Sequence, residues 1–273
     1  MPQLRVNGID LSYIEQGAGT PVVFVHGAWM DFRYWEPQRQ AVATQYRFVA
    51  YSLRYHGTAP WPDAGQHYSL ATHAADLAAF MRQLNTSPVH LVGLSSGGRL
   101  VTMVALEYPD LVRSLTVLEP PIDELLVDLP EAQPVRDAWR QAFEPIRTAA
   151  QAGKAIQATK LFFELANYQG AGTFETQPEA FRQMILDNAR TVPLQLVAPR
   201  PPAISCATLG GVKAPTLVVH GEQTPHYMAL ISEVVVQCIP GSRLVVIPQA
   251  THLMSHQNPT AFNEALLHFL AQQ

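Results

Sequence analysis

Six consecutive residues, Gly93-Leu94-Ser95-Ser96-Gly97-Gly98, carry the strongest chemical signal in the chain. They follow the apolar run Val89–Leu94 and precede a helix-compatible stretch, the strand-turn-helix setting that a G-x-S-x-G nucleophile needs. Glycines at 93 and 97 remove side chains that would collide in a sharp turn, so Ser95 can stand exposed at its apex. The helix beginning at Ser96 adds free N–H groups and positive potential behind the hydroxyl. Ser96 is the competing hydroxyl, but its flanks, Leu94 and Gly98, suit the turn less well. The bland alternative is an ordinary glycine-rich turn between a strand and a helix.

A second signal follows the first buried run: Val25-His26-Gly27-Ala28-Trp29. Acyl transfer needs two N–H donors aimed at the developing oxyanion. The backbone of Ser96, next to the nucleophile, and of Ala28, just past the His-Gly turn, are the candidates. At this point the chain resembles the α/β-hydrolase superfamily. The resemblance is carried by His26-Gly27, Ser52-Leu53-Arg54-Tyr55-His56-Gly57, the 93–97 turn, Tyr108–Arg113, Pro215–Gly221 and a late histidine. It implies an α/β-hydrolase fold, a serine nucleophile and a base following the last strand. His26 reads as a turn-stabilising residue. Trp29 and Tyr34 are candidates to line an acyl pocket, or equally to serve as core contacts.

His252 follows the apolar run Arg243–Ile247 and matches the late histidine in order and context; His256, one helical turn on, is the alternative. The acid departs from the family pattern. Where most members carry Gly-x-x-Asp, this chain has Gly221-Glu222-Gln223-Thr224, and threonine cannot hold an imidazolium by charge. Glu119 is the best replacement, because it ends the run Leu115–Leu118, expected to lie beside the nucleophile strand. It falls 24 residues after Ser95 (119 − 95), the spacing of the Glu in the zearalenone-type lactonases, which this placement resembles. Glu222, Asp123, Glu124 or no acid at all remain open.

These residues must be held by a scaffold. Residues Leu4–Gln16 alternate apolar and polar around Asn7-Gly8, which predicts a hairpin. Apolar runs at Pro21–Val25, Arg47–Leu53, Val89–Leu94, Leu115–Leu118, Thr216–Val219 and Arg243–Ile247 read as buried strands. Between them, helical patterns at 34–44, 70–84, 96–107, 226–237 and 260–270 predict a mostly parallel, doubly wound α/β sheet. Residues 120–205 break the alternation with helix-compatible, proline-rich segments at 135–149, 155–168 and 178–191, too long a stretch for a loop. The expected organisation is a core domain of residues 1–119 and 206–273 with a helical cap of 120–205. In the cap, Phe162, Phe163 and Tyr168 read as a packing group more readily than as a pocket.

The chain of 273 residues is 48% hydrophobic and only 15% charged, with a net charge of −4, which excludes disorder and a coiled coil. Without Lys/Arg blocks it is not expected to bind nucleic acid or an anionic membrane. No metal-ligand spacing or dinucleotide fingerprint occurs, so no metal and no cofactor is expected. Cys206 and Cys238 suit no disulfide framework and are expected as reduced, buried thiols. Neither a secretory leader nor an apolar span is apparent, so a soluble cytoplasmic protein is expected; the oligomeric state is open. The reading is a serine hydrolase of a small, hydrophobic carboxylic ester or lactone. Still open are C–C hydrolysis, perhydrolysis or acyl transfer on the same fold, and a non-catalytic binding protein.

Overall fold

A computed structural model describes residues 2–167 and 170–273; Tyr168 of the expected cap aromatic group lies outside them. The first strands are β1 (Gln3–Val6) and β2 (Ile9–Gln16), paired antiparallel with Val6 opposite Ile9. Asn7 and Gly8 both have positive φ, 44° and 82°, as a primed two-residue hairpin turn requires. Then come β3 (Pro21–Val25), α1 (Glu36–Ala43), β4 (Arg47–Tyr51), α2 (Leu70–Gln83), β5 (Val89–Leu94), α3 (Ser96–Glu107) and β6 (Val112–Leu118).

The chain then leaves the sheet through α4 (Gln133–Gln151), α5 (Ala155–Asn167), α6 (Glu179–Asn188) and α7 (Val192–Val197). The chain returns through α8 (Cys206–Leu209) to β7 (Thr216–Gly221), α9 (His226–Cys238), β8 (Arg243–Ile247), α10 (Met254–Gln257) and α11 (Pro259–Leu270). The sheet order is β1-β2-β4-β3-β5-β6-β7-β8, parallel from β4 onward.

Strand alternation builds two cores. Val23, Val25, Leu91 and Val117 face a layer that includes Leu77 and Phe80 of α2 and Val101 of α3. Val22, Phe24, Val92 and Leu118 face the other, with Val42 of α1 and Phe262 and Leu266 of α11. Every residue of β5 is buried, as expected for a central strand covered on both faces.

The expected thiols are instead a disulfide: Cys206 and Cys238 are bonded, with Cα atoms 4.9 Å apart. The fold packs α8 against the end of α9, a proximity that a sequence separation of 32 conceals. A pair with Cα atoms this close is within bonding reach.

One side chain joins both ends of the inserted helices to the sheet domain. Arg99 of α3 forms a fork with Glu124, at 2.9 and 2.7 Å, and donates to the carbonyls of Pro121 and Pro202. Glu124 also accepts the Ile204 N–H at 2.7 Å. Burial alone would raise the Glu124 pKa, but the Arg99 hydrogen bonds and the Ile204 N–H hold it below its ordinary value. Arg99→Met should therefore lower the unfolding free energy by about 1–3 kcal/mol, less than for a fully buried pair because Glu124 is partly open to water. Because the folded-state pKa of Glu124 is depressed, this stabilisation is present above the unfolded pKa and is lost as pH falls through the folded one. Urea midpoints of wild type and variant should differ at pH 7 and draw together as pH falls below the ordinary glutamate range; equal midpoints at pH 7 would contradict the role.

Candidate active site

The parallel register brings the candidate residues to one edge. Val25 lies beside Gly93, Leu94 beside Leu118, and Leu118 beside Val219, so the residues following β3, β5, β6 and β7 emerge side by side. This is the carboxyl edge, where open α/β sheets place ligands.

Between β5 and α3, Ser95 adopts φ 53° and ψ −124°, a conformation that non-glycine residues avoid. Its N–H donates to the Leu118 carbonyl at 2.8 Å, and its own carbonyl accepts from Arg99 N–H at 3.0 Å. The turn tolerates only glycine at its flanks: a Cβ on Gly93 would lie 2.4 Å from the Gly97 carbonyl oxygen, and one on Gly97 equally close to that of His26. The N–H groups of Ala28 and Ser96 have no protein acceptor among the described residues.

Glu119 directly follows β6 and is 3% exposed, with φ 44°. Its backbone N–H continues the sheet by donating to the Val219 carbonyl at 3.1 Å. The carboxylate then receives three donors: Gly221 N–H to Oε1 at 3.0 Å, Thr224 hydroxyl to Oε2 at 2.9 Å, and His252 Nδ1 to Oε2 at 2.5 Å. An ionised carboxylate accepts only, so Nδ1 carries the proton and Nε2 is left with a free lone pair. Ser95 and His252 line the same chamber, without a direct hydrogen bond between them among the described residues.

The other candidates are occupied elsewhere. Glu222 is exposed and accepts from Gln249 N–H at 2.8 Å. His256 bonds the Tyr34 carbonyl through Nε2. Asp123 reaches neither His252 nor Ser95 by a hydrogen bond, and Glu124 is bound to Arg99. His26 Nε2 accepts from Leu53 N–H at 3.0 Å, so its Nδ1–H donates to the Gly27 carbonyl at 2.8 Å; burial depresses its pKa to about 4. It is a neutral brace for the turn that presents Ala28.

Trp29, with φ 57°, does line the chamber, its ring edge-on to Phe162 at 4.7 Å between centroids. Phe162 and Phe163 of α5 and Ile185 of α6 line it too, so these two aromatics are wall as well as packing. Tyr34 does not reach it. That side chain is wholly buried, its hydroxyl 2.6 Å from Ser255 Oγ. The chamber is tight, at about 20 Å³, room for about one water.

Two contributors escape a motif search. Thr224 occupies the position where an Asp is usual and donates its hydroxyl to Glu119 instead. Asn167, at the end of α5, holds the Thr251 hydroxyl at 2.9 Å, tying the residue before His252 to the inserted helices. Among the described residues no group of three or more His, Cys, Asp or Glu is placed to hold a metal ion, and no helix is long and apolar enough to cross a membrane.

Comparison with known proteins places the fold. The model of the α/β-hydrolase fold family matches residues 20–259, and the chain belongs to that family. It is 27% identical to the 2-(acetamidomethylene)succinate hydrolase of Mesorhizobium japonicum, over 98% of this chain and 94% of that protein. Among solved structures, a thermophilic esterase from Thermogutta terrifontis superposes with a TM-score of 0.78 at 25% identity, covering 100% of this chain and 99% of that one. The enol-lactonase from Burkholderia xenovorans LB400 shares the fold at a TM-score of 0.79 and 20% identity, covering 99% and 100%.

If the Thr224 hydroxyl helps hold Glu119 toward His252, Thr224→Val should lower kcat by about 3- to 10-fold, the worth of one hydrogen bond, with little change in KM. Thr224→Ser should restore it. A Thr224→Val enzyme with wild-type kcat would show that the contact is incidental.

Proposed function

We propose that this protein is a serine hydrolase that cleaves a carboxylic ester or lactone through an acyl-enzyme, with Ser95, His252 and Glu119 as its triad. The observation that carries the reading is the 2.5 Å contact between His252 Nδ1 and a buried carboxylate on the same sheet edge as a serine in a strained turn. The contact orients the imidazole with Nε2 free as base and stabilises the imidazolium that forms when it takes a proton.

In the first step Ser95 Oγ attacks the substrate carbonyl while His252 Nε2 accepts its proton. The tetrahedral oxyanion is held by the N–H groups of Ala28 and Ser96; losing one such donor typically costs about 2.7–4 kcal/mol of barrier. His252 then protonates the departing alkoxide, which in a lactone stays attached to the acyl chain. Water, activated by the same histidine, attacks the acyl-enzyme and releases the acid and free Ser95.

The helices of residues 120–205 serve as a cap over this edge, since Phe162, Phe163, Asn167 and Ile185 share the chamber with Ser95. The walls are mainly apolar, which suits a small, hydrophobic acyl or alkyl group. Relatedness to an esterase at 25% identity, and to a protein named as a hydrolase, agrees with this chemistry. A non-catalytic binding protein drew its support from the missing Asp at 224; the Glu119 contact removes that motive.

In an ester and lactone panel, from acetyl to decanoyl with macrolactones, the short-chain members should be turned over by wild type and none by Ser95→Ala. A fluorophosphonate probe should label wild type alone, with both proteins melting at the same temperature. Undiminished labelling of a folded Ser95→Ala variant would overturn the nucleophile.

A further inference from the structure

A second cavity, of about 280 Å³, opens on the other side of the oxyanion turn. It shares Ala28 with the catalytic chamber and is also lined by Ser96, so it borders both oxyanion donors. Most of its remaining wall is apolar, with Leu53, Leu70, Pro199 and Pro201, and into it are set His56, His73, Tyr68, Gln195 and Arg200.

His73 stands apart from the other buried histidines. His26, His90, His220 and His256 each engage a protein group: Leu53 N–H and the Gly27 carbonyl, Ser114 Oγ, the Gly221 carbonyl, and the Tyr34 carbonyl. His73 is 2% exposed, yet both ring nitrogens lack a partner among the described residues. Leaving buried polar atoms unpaired costs about 1–3 kcal/mol each, so such a side chain calls for a ligand. Beside it, with ring centroids 6.1 Å apart, His56 donates Nδ1–H to the Arg54 carbonyl at 3.0 Å and keeps Nε2 as an acceptor. The Tyr68 ring stands edge-on to His73 at 5.0 Å.

The cluster is neutral at physiological pH. Burial pushes the His73 pKa down to about 3 and that of His56 well below its ordinary value, and the neighbouring His26 lowers both further. The unpaired set is then an acceptor on His56 plus one donor and one acceptor on His73. A hydroxyl, which donates and accepts at once, matches that set. A carboxylate only accepts; it would face the His56 lone pair and lose its hydration. Both His73 nitrogens are sealed from solvent, so the ring must turn about χ2, a soft torsion, to present one of them to the cavity.

We propose that this cavity is the specificity subsite of the hydrolase and receives a hydroxyl group borne by the substrate, held by His73 and His56. The inference rests on the acyl-enzyme reading of Ser95. The hydroxyl can sit on the acyl or the alcohol arm, and matched substrates separate the two.

The test compares kcat/KM for methyl 6-hydroxyhexanoate against methyl hexanoate, and for 4-hydroxybutyl hexanoate against butyl hexanoate. Wild type should prefer the hydroxylated member of one pair by about 10- to 100-fold, as two hydrogen bonds imply. The preference should collapse toward unity in His73→Phe and partly return in His73→Gln. Equal turnover of both members of both pairs by wild type overturns the subsite while leaving the esterase intact, and needs no variant to fold. No turnover of any of the four, with no fluorophosphonate labelling of Ser95, overturns the hydrolase reading itself. Preference for the monomethyl ester of adipic acid over methyl hexanoate, lost in Arg200→Gln but kept in His73→Phe, replaces the hydroxyl with an anion and also refutes the proposal.

Discussion

A carboxylate almost sealed from water has to be matched by donors, and the Glu119 side chain gathers three from separate parts of the chain: Gly221 N–H, the Thr224 hydroxyl and His252 Nδ1. Charge-assisted bonds of this kind are among the stronger ones in proteins. Together they fasten the end of β6 to the loop after β7 and to the loop after β8. The same group that orients the histidine therefore holds three loops in register. Its backbone φ of 44° precedes Pro120, whose ring restricts the preceding residue against the right-handed helical region. Strain of about 1–3 kcal/mol at such a position persists only where the surroundings over-determine it, and here the sheet bond to Val219 and the three donors do so.

Ser95 and Glu119 share a design. Each directly follows a parallel strand, each has positive φ, and the two strands are neighbours with Leu94 opposite Leu118. The Leu118 carbonyl accepts the Ser95 N–H, so the turn at Ser95 and the end of the strand that leads into Glu119 are hydrogen-bonded to one another. The inserted helices attach to this pair of turns rather than floating over them. Arg99, four residues beyond Ser95, clasps both ends of the insertion, and Asn188 of α6 bonds both Asp31 Oδ2, at 2.8 Å, and Gly57 N–H, at 2.6 Å.

Much of this was legible in the residues because it follows local rules. The nucleophile turn needs glycines at 93 and 97, and the hairpin needs Asn7-Gly8; both patterns are read from a few adjacent positions. Short, largely apolar runs announce the central strands in the same way. Glu119 was reachable because a strand end is a defined place on the sheet edge. What escaped reading depends on contacts across long separations. The Cys206–Cys238 bond arises from the packing of two helices. Thr224, set aside as unable to hold a histidine by charge, acts instead as a donor to the acid 105 residues away. Tyr34 has the right chemistry and the right neighbourhood, but the fold turns it into the core against Ser255.

The central claim is that the working acid has moved from the loop after β7 to the end of β6. The direct measurement is kcat for Glu119→Gln beside Glu222→Gln on one ester that wild type hydrolyses. Glu119→Gln keeps the volume of the side chain but removes the negative charge, and should cut kcat by about 10³- to 10⁴-fold, as when the acid of a Ser-His-Asp triad is made an amide. Glu222→Gln should stay near wild type. Wild-type turnover by Glu119→Gln, with the loss in Glu222→Gln, would contradict the account.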